Sequence, residues 1–225
     1  MRFNFTLISA FLFASAVLAD RGLEHRSSQL NIVEKRTNAT SDSGEVIYTE
    51  WAGAGLTQSV PSFRAISGTF KVPQISGPTG SGVGIWVGID GAVAEWSPKG
   101  GIEFTDIKVS PGDLITVTVT VNSDQTTGNA TVENFKHGTN QMTVQTLEFS
   151  NQPALCQLSA EWIVSKVGNL DLANFDVVSF RKPLAFGPDD QTFTPAGSVI
   201  SEIPENGKSV TAIYADENVV AIWHA

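Results

Sequence analysis

The sequence holds one cysteine, Cys156, among its 225 residues. A lone thiol cannot build a disulfide framework within the chain, so it stands as a free thiol or one that has lost its partner. Histidine is almost as scarce, and beyond the first 36 residues it occurs only as His137 and His224. Neither lies in a ligand spacing, so no metal site and no cofactor is expected. Positive charge is also short, with 14 Lys and Arg against 23 Asp and Glu and a formal net charge of -9. Such a chain repels nucleic acid, and no basic stripe offsets this. There is no Gly-x-Ser-x-Gly elbow, and no phosphate-binding glycine loop of the Walker or dinucleotide type. No segment carries a sustained helical period, and past the N-terminus no apolar run is long enough to span a bilayer.

What is present begins at the N-terminus. Arg2 precedes an apolar run that ends in Val17-Leu18-Ala19. A basic start, a short apolar stretch and small residues before a cut describe a signal peptide over 1–19. Residues 20–36 are polar and close on Lys35-Arg36, which reads as a pro-segment ending at a dibasic cut. The expected product is one domain over 37–225, secreted, monomeric and free of the membrane after signal cleavage. It is more acidic still, because five of the 14 basic but three of the 23 acidic side chains lie in 1–36. Asn38-Ala39-Thr40 and Asn129-Ala130-Thr131 are N-glycosylation sequons, expected in surface loops.

From about residue 46 onward, strands and turns alternate. The clearest strand covers 113–122, with Ile115, Val117, Val119 and Val121 on one face and Thr116, Thr118 and Thr120 on the other. Further strands are predicted at 66–72, 84–90, 130–135, 142–149, 160–167, 177–181, 199–203, 209–214 and 219–223. Pro111-Gly112, His137-Gly138 and Asp216-Glu217-Asn218 supply turns. Many short strands with Gly, Pro, Asn and Asp between them predict an all-β antiparallel sandwich or barrel.

Carboxylates are the chemistry left to such a chain. Glu95, Glu103, Glu133, Glu148, Glu161 and Glu202 all fall in or near strands, and composition does not choose among them.

Ordered words in the sequence do choose. They are Trp51-Ala52-Gly53, Trp86-Val87-Gly88-Ile89-Asp90-Gly91, Glu95-Trp96-Ser97-Pro98, Val109-Ser110-Pro111-Gly112-Asp113, Ala130-Thr131-Val132-Glu133-Asn134 and Ala160-Glu161-Trp162-Ile163-Val164. Together they resemble the fungal glutamic peptidases, the eqolisin family. The resemblance implies a concanavalin A-like β-sandwich and a secreted acid endopeptidase acting on protein or peptide substrates. It implies that Glu161 is the catalytic glutamate, activating a water for attack on the scissile carbonyl. Trp51, Asp90, Glu95 and Trp96 match words near the family's substrate cleft, and are expected to bind substrate.

One part of the pattern is absent. The family's catalytic glutamine follows the Trp-Val-Gly-Ile-Asp-Gly word, whereas here Asp90-Gly91 runs through Ala92-Val93-Ala94 straight into Glu95-Trp96. Gln74, Gln125, Gln141, Gln145 and Gln157 belong to other words, and Glu50 stands where the family usually has asparagine. A cysteine left without its partner fits the same loss. Three readings follow: an acid endopeptidase in which another group replaces the glutamine or its loss impairs activity, an inactive sandwich that binds peptide or glycan, or a truncated gene model of an active peptidase.

Overall fold

The computed structural model of the protein describes residues 46–90, 104–167 and 170–225. Fifteen strands account for the regular structure, and no helix occurs among the described residues. In chain order they are β1 (Val46–Tyr48), β2 (Trp51–Thr57), β3 (Ala65–Lys71), β4 (Gly84–Ile89), β5 (Leu114–Val121), β6 (Gly128–Phe135), β7 (Met142–Phe149) and β8 (Ser159–Ser165). They continue with β9 (Val177–Phe186), β10 (Thr192–Phe193), β11 (Val199–Glu202), β12 (Pro204–Glu205), β13 (Lys208–Ser209), β14 (Thr211–Ala215) and β15 (Val219–His224).

Two sheets pack face to face. The smaller has five strands in the order β1-β11-β2-β8-β4. The larger has eight, running β14-β15-β9-β3-β5-β6-β7 with β10 added to β9. Every pairing is antiparallel except that of β1 with β11. This is the sandwich the resemblance implied, one of the two architectures the alternating pattern allowed. In β5, Ile115, Val117, Val119 and Val121 are buried, and the residues between them face outward.

The core lies between the sheets and is richest around Trp162, which is fully buried on β8. Its indole nitrogen donates to the carbonyl of Ser67 on β3, 2.9 Å away, so the ring stitches one sheet to the other. Gly68 makes the room. A Cβ there would lie 3.0 Å from both Trp162 and Phe180 and 3.2 Å from Val87. A large ring facing a missing side chain is how close packing is reached across two sheets.

Two strands depart from the predicted pattern. All six residues of β4 are buried, so its two faces are both covered rather than one being solvated. In β2, the Ala-Gly-Ala-Gly composition hides a central strand, because small residues carry no β-propensity signal. Gly53 is required there. Its φ is +154°, and a Cβ would stand 2.1 Å from the carbonyl oxygen of Trp162.

Candidate active site

Glu161 sits third in β8, and the register decides its surroundings. Trp162, Ala160 and Val164 point into the core, so Glu161, with Ser159, Ile163 and Ser165, faces the other side of the five-stranded sheet. On β2 its cross-strand partner is Gly55, and on β4 it is Gly88. Two glycines flank one glutamate, so neither neighbouring strand presents a side chain at that level. A Cβ on Gly55 would make ordinary contact with Glu161 Cγ at 3.5 Å. Glu161 is half-buried, and its Oε1 accepts a hydrogen bond from the hydroxyl of Ser159 at 2.9 Å.

The same face carries an aromatic end. Trp51 on β2 and Trp86 on β4 meet edge to face, ring centroids 6.1 Å apart. Trp86 is fixed by donating its indole N–H to Ser165 Oγ at 3.2 Å, whereas Trp51 is 41% exposed. Counting along β2, Trp51 lies four residues from Gly55, about 13 Å at the rise of a strand. This face thus carries a tryptophan pair and, farther along the strands, a carboxylate.

Asp90 closes β4 in a left-handed conformation, φ +56°. Its carboxylate turns inward. Oδ1 accepts from the backbone N–H of Leu158 at 2.7 Å and of Ser159 at 3.0 Å, and Oδ2 accepts from that of Gln157. In return the Asp90 N–H donates to the Ser159 carbonyl at 3.1 Å. The carboxylate therefore faces the backbone of its own chain and braces the segment that leads into β8.

Of the residues singled out from the sequence, Glu161 and Trp51 share this face, and Asp90 supports it from the end of β4. Glu95, Trp96 and Asn38 lie outside the described residues. Asn129 differs from the loop expectation. It is the second residue of β6, paired with Thr120 and Glu148 on the outer face of the larger sheet. The turn before it ends earlier because Asp124 captures the N–H groups of Thr126 and Thr127 at 2.9 Å each. Cys156 is exposed with a free thiol. No group of three or more His, Cys, Asp or Glu is placed to hold a metal ion among the described residues.

Sequence reasoning missed Ser159 and the flanking glycines. The signal for Ser159 was present, since a residue two before Glu161 shares its face in any strand. Gly55 and Gly88 offered none, because their importance lies in pairing across strands.

Known proteins share this fold. The model of the peptidase A4 family matches residues 49–93 and 91–223, two stretches that meet at the end of β4. Aspergillopepsin-2 of Aspergillus niger is 29% identical over an alignment of 287 positions, covering 95% of this chain and all of the relative. That alignment is longer than the chain itself, so the relative has stretches with no counterpart here. Scytalidopepsin B of Scytalidium lignicola is 32% identical over 139 residues, 52% of each protein. The structure of scytalido-glutamic peptidase with a peptide-based transition-state analogue superposes with a TM-score of 0.67 at 26% identity, covering 78% of this chain and 98% of that one. Aspergilloglutamic peptidase from Aspergillus niger superposes at 0.52 and 28%, covering 72% and 99%. With a family match across most of the folded region and sheets arranged as in glutamic peptidases of known structure, the chain belongs to the peptidase A4 family.

Proposed function

We propose that this protein is a secreted acid endopeptidase of the glutamic type, in which Glu161 activates the hydrolytic water and the lack of a glutamine partner lowers the rate. The observation that carries the reading is the placement of Glu161. It projects from β8 between Gly55 and Gly88, with Trp51 and Trp86 on the same face, in a chain of this family. In this reading an extended peptide lies along that face, with its scissile carbonyl at the glutamate and a side chain towards the tryptophans.

The chemistry needs one carboxylate in two states. An ordinary glutamate titrates near ~4.3, so in mildly acid medium it can take a proton and give it back. Glu161 removes a proton from water as the oxygen bonds to the carbonyl carbon, leaving a tetrahedral oxyanion. The same carboxyl then delivers that proton to the leaving amine as the C–N bond breaks.

The oxyanion is where this chain is poor. In the resemblance, a glutamine amide donates to it, and no glutamine lies between Asp90 and Glu95. The break in the family match at residues 91–93 falls at the same place. Loss of one such donor lowers a rate by about 10²–10³. Among the described residues, Asp90 enters this reading as a brace for β8 and Trp51 as a wall of the cleft. Glu95 and Trp96 are retained as cleft residues from the resemblance alone. Secretion follows from the N-terminal segment, and Asn38 and Asn129 are the expected glycan acceptors.

The test is digestion of an acid-unfolded protein by the full chain with pepstatin present, comparing wild type with Glu161→Gln. The expected result is slow cleavage that the substitution abolishes. Equal rates remove Glu161 from the mechanism. No cleavage by either, with peptide still bound by wild type, favours the inactive binding sandwich.

A further inference from the structure

We propose that Ser159 is a positioning residue for Glu161, a hydroxyl built into the strand to hold the reacting carboxylate in its ionised form and in one orientation. The proposal rests on the glutamate reading above.

The geometry is specific. Ser159 is 2% exposed, so its hydroxyl is shielded from competing water. It donates to Glu161 Oε1 at 2.9 Å, from two residues earlier on the same strand face. Its position is itself held. The Ser159 N–H donates to Asp90 Oδ1, its carbonyl accepts from the Asp90 N–H, and Asp90 also holds the amides of Gln157 and Leu158. Backbone constraint at the end of β4 thereby reaches the glutamate through the Ser159 hydroxyl. On the flanking strands the residues paired with Glu161 are Gly55 and Gly88, which carry no side chain.

Electrostatics point the same way. A hydroxyl that donates to a carboxylate favours the charged form over the protonated one. Neither β2 nor β4 contains an ionisable side chain. Asp90, just past β4, is the charged group next to Ser159 among the described residues, and its oxygens face backbone amides. An enzyme that works in acid gains from a donor without charge of its own, because such a donor does not titrate away.

The test uses the full chain labelled with carboxyl-¹³C glutamate, with Glu161→Gln assigning the resonance. Glu161 is titrated in wild type, Ser159→Ala and Ser159→Thr, and each is assayed on an acid-unfolded protein across pH. The alanine variant is expected to raise the Glu161 midpoint by about half a pH unit or more. It should also lower kcat by roughly tenfold with KM little changed, because a reacting group loses its orientation. The acid limb of the rate profile should move upward with the midpoint. Threonine keeps the hydroxyl and should restore both. An unchanged midpoint in Ser159→Ala overturns the hydrogen bond. A shifted midpoint with unchanged kcat and acid limb overturns the positioning role. A Glu161→Gln enzyme as fast as wild type instead overturns the glutamate mechanism and the catalytic half of this proposal, while the titration still judges the bond itself.

Discussion

At the level of one residue, Asp113 ties the stability of this fold to pH. It is 2% exposed at the start of β5, and burial pushes its carboxyl upward. Hydrogen bonds outweigh that and hold it below the usual carboxylate range. The donors are the His137 N–H at 2.9 Å, the Lys136 ammonium at 3.0 Å, the Ser110 N–H at 2.9 Å and the Asn134 amide at 3.2 Å. The carboxylate ties the loop before β5 to the turn between β6 and β7. Because its folded value lies below its unfolded one, its stabilisation is complete above about pH 4 and fades as pH falls through the folded value. Asp113→Asn is therefore expected to lose about 2–4 kcal/mol at neutral pH, leaving buried donors mismatched. Urea unfolding of both proteins from pH 7 to pH 3 should show that gap narrowing at the acid end.

Among the elements, β2 carries most of the site's tolerances, and its glycines are not equivalent. Gly53 lies at φ +154° with no room for a Cβ beside the Trp162 carbonyl. Gly53→Ala should cost roughly 2 kcal/mol or more, through strain and displacement of β8. Gly55 has space, with its nearest neighbour at 3.5 Å. Gly55→Ala is expected to fold with stability within about 1 kcal/mol of wild type. Gly55→Leu should fill the space beside Glu161, raising KM while thermal unfolding changes little. A Leu variant that unfolds early instead would show that β2 needs glycine for packing at this position as well. A paired melting and kinetic measurement on the three variants separates backbone need from cleft shape.

Across the whole molecule, stability depends on the two sheets staying together, and Trp162 is the side chain that spans them. Trp162→Ala removes its buried surface and the bond to the Ser67 carbonyl at once. The expected loss is about 3–5 kcal/mol, read as a lower denaturant midpoint. It should also reduce any activity beyond the fraction unfolded, because the neighbouring residue on β8 is Glu161. The strongly negative composition leaves the folded chain with many carboxylates to protonate in acid, which lowers its self-repulsion there.

Local patterns in the sequence determined the all-β class, since side-chain alternation is a property of a strand whatever it pairs with. The run from Ile115 to Val121 was read correctly for that reason. Ordered words pointed to the family, and the resemblance they carry singled out the glutamate on β8. Tertiary structure alone decided what surrounds that glutamate. Gly55 and Gly88 lie 106 and 73 positions away from it in the chain, and only strand register sets them beside it. It likewise decided that Asp90, expected at the substrate, faces the amides of 157–159. It also placed Asn129 on a strand rather than a loop, because a turn ends where its capping bonds end. Pairing between distant strands depends on the burial of both faces of the sandwich at once, and no window of neighbouring residues contains that information.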